Sequence, residues 1–210
     1  MAYAVKEMFY TLQGEGAQAG SAAVFCRFSG CNLWSGREQD RATATCQFCD
    51  TDFIGTDGDG GGKFANGAEL AAAVAAKWPQ NVPGRKLVVC TGGEPLLQLN
   101  REAIEALHAE GFSIAIETNG TVDVPEGVDW VCVSPKANAT LKVMGGDEIK
   151  LVYPQETDPR VYSGMGFRNF FIQPMDGPEA AANRDAAVRF CMENPQWRLS
   201  LQTHKLVGIR

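Results

Sequence analysis

The chain has 210 residues, with 19 Lys plus Arg against 25 Asp plus Glu, a net charge of −6. An acidic chain has no global attraction for phosphate backbones, so direct nucleic-acid binding is not expected. The 45% hydrophobic content excludes a disordered chain. The longest strictly apolar run, Leu70 to Ala76, falls far short of the roughly 18 residues a membrane span needs.

Residues Met1 to Tyr10 contain Lys6 and Glu7 and lack an apolar signal core, so the cytoplasm is the expected compartment. Candidate strands then run through Ala22 to Phe28, Leu87 to Thr91, Phe112 to Thr118, Trp130 to Ser134, Glu148 to Tyr153, Asn169 to Gln173 and Arg198 to His204. Helices lie between several of them. Asn66 can cap one, with Glu69 three positions on and Leu70, Val74 and Trp78 as its apolar stripe. Asn100 caps a second, with Ile104 and Leu107 facing inward and Gly111 ending it. Pro178 suits the first turn of a third, which runs towards Asn194.

Strand and helix in alternation imply parallel strands with right-handed crossovers. A closed eightfold barrel usually takes about 250 residues, and the turn-rich segment from Gly30 to Lys63 leaves too little chain for one. The expected fold is therefore α/β: an open, partial TIM-type barrel in a single domain spanning 1–210. The Gly- and Asp-rich run Gly55 to Gly62 is expected to be a mobile loop. Strand parity puts Phe25 and Arg27 on one face and Val24, Cys26 and Phe28 on the other. Polar residues of one parity, including Glu117, Ser134 and Lys136, gather at C-terminal strand ends, where parallel barrels carry their active sites.

Seven cysteines in a chain with no export signal argue against a disulfide framework. Cys31, Cys46 and Cys49 form a C-x14-C-x2-C set in the loop after the first strand. The short second gap lets two thiolates grip one metal centre. Three thiolates on a four-iron cluster leave one iron open, which suits catalysis. A zinc ribbon recruiting Cys26 is the competing reading; against it, Cys26 lies mid-strand on the face of Val24 and Phe28, where a cysteine is usually filler. Cys90, Cys132 and Cys191 read as packing residues. A second motif follows the apolar strand Leu87–Val88–Val89–Cys90, where Thr91-Gly92-Gly93-Glu94-Pro95 sets paired glycines for close backbone approach beside an acceptor.

With these two motifs together the sequence resembles the radical S-adenosylmethionine (SAM) superfamily. The superfamily's usual cysteine pattern is C-x3-C-x2-C with an aromatic residue before the last cysteine; Phe48 fits and the long first gap does not. That enlarged gap resembles members of the 7-carboxy-7-deazaguanine synthase family. Phe9-Tyr10-Thr11-Leu12-Gln13-Gly14-Glu15-Gly16, Cys49-Asp50-Thr51, Ser134-Pro135-Lys136, Gln173-Pro174-Met175-Asp176 and His204-Lys205 match it too, so the resemblance covers nearly the whole chain.

The resemblance implies a modified radical SAM core, with the cluster-binding loop at about 30–63. It implies conversion of 6-carboxy-5,6,7,8-tetrahydropterin to 7-carboxy-7-deazaguanine with loss of ammonia, a carbon–nitrogen lyase step in queuosine biosynthesis. A reduced 4Fe-4S cluster on Cys31, Cys46 and Cys49 would give an electron to SAM, and the resulting deoxyadenosyl radical would take hydrogen from substrate C6. For SAM the resemblance points to Phe48, Gly92, Gly93, Glu94, Ser134, Lys136 and Gln173, with Glu117 added by parity. For substrate it points to the Leu12, Gln13, Gly14 and Glu15 segment, Arg27 for the carboxylate, Thr91 and His204. The chain end at Arg210 is expected to return to the open barrel and present its carboxylate to the guanidine-like pterin edge. Magnesium is expected at Thr51, completed by substrate oxygens and water. A flavodoxin-type electron donor and a homodimer are the expected partners. Two rival readings are a radical SAM activase of a glycyl-radical enzyme and a non-catalytic zinc or iron–sulfur module.

Overall fold

A computed structural model describes residues 2–210. Within them nine strands form one sheet: β1 (Tyr3–Leu12), β2 (Ala22–Phe28), β3 (Gly62–Phe64), β4 (Lys86–Gly92), β5 (Phe112–Thr118), β6 (Trp130–Val133), β7 (Gly145–Tyr153), β8 (Gly166–Pro174) and β9 (Arg198–Leu199). Their order is β3-β1-β2-β4-β5-β6-β7-β8-β9, with two different outer strands, so the sheet is open. From β2 to β9 every pairing is parallel. The strands β1 and β3 extend it antiparallel, an addition to the all-parallel expectation. The turn between β1 and β2 closes on itself, since Gln13 N–H donates to the Ser21 carbonyl (2.8 Å) and Gly20 N–H to the Gln13 carbonyl (2.8 Å).

The helices α1 (Gly67–Lys77) and α2 (Arg101–Ala109) follow the expected caps closely, whereas α3 (Ala180–Glu193) starts two residues after Pro178, with Glu179 at its N-terminus making no capping bond. Asn66 accepts from Glu69 N–H and Asn100 from Ala103 N–H, each satisfying an orphan donor of a first helical turn. One apolar layer joins β1, β2, β4 and β5 to α1 and α2 through Val24, Cys26, Phe28, Leu70, Val88, Cys90, Ile104 and Ile114. A second joins β7 and β8 to α3 through Ile149, Leu151, Ile172 and Phe190.

On the sheet's other face, Ala23, Leu87, Val89 and Ala115 plug the N-terminal end, with Phe25 and Trp130 against them. That plug leaves the C-terminal end of the same face hollow. Two expectations are corrected. The last strand stops at Leu199, and residues Thr203–Val207 form a short helix, α4, which turns His204 back towards Gly14. The Gly55 to Gly62 run is tied to β1 through Gly58 N–H on the Lys6 carbonyl (2.9 Å) and Met8 N–H on the Asp59 carbonyl (2.7 Å).

Candidate active site

A cavity of about 440 Å³ opens at the C-terminal ends of the strands. Cys31, Cys46 and Cys49 stand on one wall with Phe48 and Thr51. Their loop is built around Trp34, which packs edge-on against Phe53 (5.5 Å) beneath the Arg41 guanidinium (4.1 Å). Arg41 also donates to the carbonyls of Gln47 (2.9 Å) and Cys49 (3.1 Å), so the inserted segment holds the turn that carries the last two cysteines. Cys31 Sγ accepts from Leu33 N–H (3.4 Å), the kind of backbone donor that stabilises a thiolate in an iron–sulfur site. A hydrogen bond from the Cys46 thiol draws Cys49 down to about 6, and the same bond together with burial pushes Cys46 up. Three convergent thiols, Cys31 and Cys49 partly accessible and Cys46 buried, with one readily ionised, fit a metal–sulfur cluster. Cys26 does not join them: its side chain is in the helix-side core, in register with Cys90, which removes the zinc ribbon that would recruit it.

The paired glycines, which line the cavity, also make a contact the sequence reading did not include. A Cβ on Gly92 would run into the Phe28 backbone and one on Gly93 into the Gly30 carbonyl, so the glycines seat β4 against the start of the cysteine loop. Glu94 is fully buried, and its carboxylate accepts from Thr118 Oγ1 (2.7 Å), Asn119 N–H (2.8 Å) and Leu96 N–H (3.0 Å). Its burial raises the carboxyl's pKa against those bonds. Glu94 thus ties β4 to the end of β5 and is not on the cavity wall. Gly14 is also off the wall, packed under His204.

The other expected residues come together around the cavity: Leu12, Gln13, Glu15, Arg27, Thr91, Gly92, Gly93, Glu117, Ser134, Lys136, Gln173, His204 and Arg210. Lys136 Nζ donates to the Ser134 carbonyl (2.6 Å) and hydroxyl (2.7 Å), 5.9 Å from the Phe48 ring centre, and burial lowers its pKa. Arg27 Nε donates to Glu7 (2.9 Å), leaving the fork of the guanidinium for another acceptor. Arg210 reaches the same carboxylate (2.6 Å) and lies 4.5 Å over Phe9, while its main-chain carboxylate, expected at the pterin edge, accepts from Thr11 Oγ1 (2.6 Å). The terminal residue thus brings a cation to the Arg27 end of the cavity.

Sequence reading passed over Glu7, Asp50 and above all Lys150. Lys150 Nζ is 2.7 Å from Glu15 and 2.8 Å from Glu117, and the residue is only 3% exposed. Cys132, read as packing, lies on this polar face beside Glu117 and Glu148. The available signal was alternation: Glu148 and Lys150 flank Ile149 in a strand of a parallel sheet, where both faces are normally apolar.

An open α/β sheet with three convergent thiols at the C-terminal mouth of a polar cavity defines an enzyme of the metal–sulfur class. No family model matches the chain. It is 63% identical to a 7-carboxy-7-deazaguanine synthase of Caulobacter vibrioides and 62% to one of Bordetella pertussis, each over 100% of both chains. A crystal structure of QueE from Escherichia coli superposes with a TM-score of 0.70 at 27% identity, covering 96% of this chain and 94% of that one. The chain belongs to the 7-carboxy-7-deazaguanine synthase family.

Proposed function

We propose that the protein is a radical SAM lyase that converts 6-carboxy-5,6,7,8-tetrahydropterin to 7-carboxy-7-deazaguanine with loss of ammonia. The observation that carries this reading is the convergence of Cys31, Cys46 and Cys49 on the cavity that also presents Arg27, Gln13 and Glu15. When bound, a 4Fe-4S cluster and SAM supply one-electron reduction and hydrogen-atom abstraction; the chain supplies position and dryness.

Arg27, fixed by Glu7, offers its guanidinium fork to the substrate carboxylate. Gln13 and Glu15 receive the amide and amino edge of the ring, and Glu117, expected on the SAM side, is assigned with them because Gln13 Nε2 and Lys150 tie it to that group. Ser134, Lys136, Gln173 and the Phe48 backbone hold SAM on the thiol side, next to Gly92 and Gly93. The Phe9–Phe25 stack, 5.6 Å between centroids, closes the Arg27 side of the cavity against water.

Thr51 is the proposed magnesium ligand. Its neighbours Asp50 and Asp52 are each engaged by a lysine, Lys205 (2.8 Å) and Lys6 (2.9 Å), so a single neutral hydroxyl remains for the ion. A hard cation needs about six oxygens, and the substrate carboxylate and water must supply the rest. Calorimetry should therefore detect magnesium binding with substrate and SAM present and little without them; tight, stoichiometric binding to substrate-free protein would contradict the assignment.

The proposed electron donor is a flavodoxin-type protein and the proposed compartment the cytoplasm, consistent with an acidic chain among whose described residues no helix is long and apolar enough to cross a membrane. Deuterium placed at substrate C6 tests the reading: it should appear on the 5′ carbon of recovered SAM. Product formation with no transfer of label would overturn it.

A further inference from the structure

Beneath the cavity, five ionisable side chains converge from three strands and the β1–β2 turn. Lys150 and Glu148 come from β7, Glu117 from β5, Cys132 from β6 and Glu15 from the turn; the Lys136 cation, after β6, is within electrostatic reach of Lys150. Lys150 Nζ bridges one oxygen of Glu15 and one of Glu117. The second oxygen of each carboxylate is held by an amide at 3.1 Å: Glu15 by Gln202 Nε2 and Glu117 by Gln13 Nε2. Both carboxylates line the cavity and Lys150 stands at its floor. Glu148 lies deeper, 2% exposed, where it accepts from Ala17 N–H (2.7 Å).

We infer that Lys150 is a positioning residue for substrate recognition, holding Glu15 and Glu117 side by side as ionised acceptors for the amino and amide donors of the pterin ring. The inference rests on the proposed substrate. A ring edge with an exocyclic amine and neighbouring ring N–H groups presents several donors in a row, and two adjacent carboxylates match it only while both are charged. Two half-buried carboxylates sharing one cation do not both ionise readily without it, because like charge and burial each favour the neutral form. The ammonium between them removes that penalty and fixes their spacing. Burial alone would raise the Glu15 carboxyl, yet Lys150 outweighs it and holds the group at about 2. Glu148, without a direct bond to the ammonium, is raised by burial and by Glu117. The same ammonium argues against a cation bound by Glu117, Cys132 and Glu148, whose ligand atoms lie within 4.8 Å of one another.

The test is anaerobic calorimetry of 6-carboxy-5,6,7,8-tetrahydropterin binding to the cluster-loaded, SAM-bound protein without reductant, using wild type, Lys150→Met and Lys150→Arg. Removing the ammonium takes away the charge that keeps Glu15 ionised against burial. The affinity of Lys150→Met relative to wild type should then fall as pH is lowered from about 8 to about 6, by at most about tenfold per pH unit, the limiting slope of one proton. Lys150→Arg, which keeps the charge, should show a flat ratio. A Lys150→Met ratio independent of pH would overturn the inference.

If Lys150→Met does not fold, carbon-13 NMR of glutamate-labelled wild type decides. The carboxyl signal missing from Glu15→Gln should remain that of an ionised group down to about pH 4, below the ordinary glutamate midpoint, and protonation above it would overturn the inference. Wild type that binds no pterin contradicts the proposed substrate instead, and the NMR titration still tests the role of Lys150.

Discussion

At the Arg27 end of the cavity the decisive residue is Glu7, which receives both Arg27 (2.9 Å) and Arg210 (2.6 Å). Arg27→Ala should raise KM for the carboxylated pterin about 10- to 100-fold, the loss of a charged hydrogen-bonded pair. Glu7→Gln, which leaves the guanidinium present but less fixed, should raise it several-fold less; steady-state kinetics at saturating SAM would check the order, and equal effects would contradict a secondary role for Glu7. Parity made Arg27, Glu117 and Lys136 legible before any coordinates, because alternate strand residues point to opposite faces. It was equally available for Lys150, but an ion pair across three elements leaves no local pattern. Glu94 shows the opposite case, a local motif with non-local bonds. Its neighbours in sequence suggest a ligand contact, whereas its side chain spans to Thr118 and Asn119, residues that no short motif connects to it.

Among the elements, those with local signals were read well. The ends of β2 and β5 coincide with the expected ones, and the Asn66 and Asn100 caps bond as their spacing requires. Asn100 also accepts from Tyr3 Oη (2.7 Å), which pins β1 to α2. Asn100→Ala should therefore cost at least the ~1 kcal/mol of a lost cap, and lower Tm by about 2–4 °C or more in a domain of this size; an unchanged thermal midpoint would mean that the cap adds nothing. The strand β1 was missed because its register slips between Val5 and Glu7, which breaks the alternation, and because Lys6 and Glu7 interrupt its apolar run. The helix α4 has only five residues, too few for a helical period to show. The cysteine-loop insertion carries its own small core, so Arg41→Ala should loosen the Cys46–Cys49 turn. We expect the iron–sulfur absorbance of that variant to bleach several-fold faster under a chelator than in wild type, since structure around metal ligands tunes affinity by about tenfold or more.

For the molecule as a whole, the open sheet leaves one end of the barrel face polar and hollow while its helix face is filled. The buried pair at Lys150 also couples this site to stability. Glu15 is lower in the folded chain, at about 2, than in an unfolded one, so its contribution is present above the ordinary glutamate value and is lost as pH falls from there towards about 2. In cluster-free protein, denaturant titrations across that window should show a shallower acid loss for Glu15→Gln than for wild type. A homodimer is proposed from exposed apolar residues such as Leu206 (66%) and Val207 (67%) on α4, and a monomeric mass at micromolar concentration would contradict it. The measurement that bears most directly on the central claim is anaerobic turnover. Protein with a fully loaded cluster, SAM, dithionite, magnesium and 6-carboxy-5,6,7,8-tetrahydropterin should yield 7-carboxy-7-deazaguanine and one equivalent of ammonia, and the Cys31→Ala variant none. A fully loaded enzyme that leaves the pterin unchanged, or a Cys31→Ala variant that turns it over, would contradict the account.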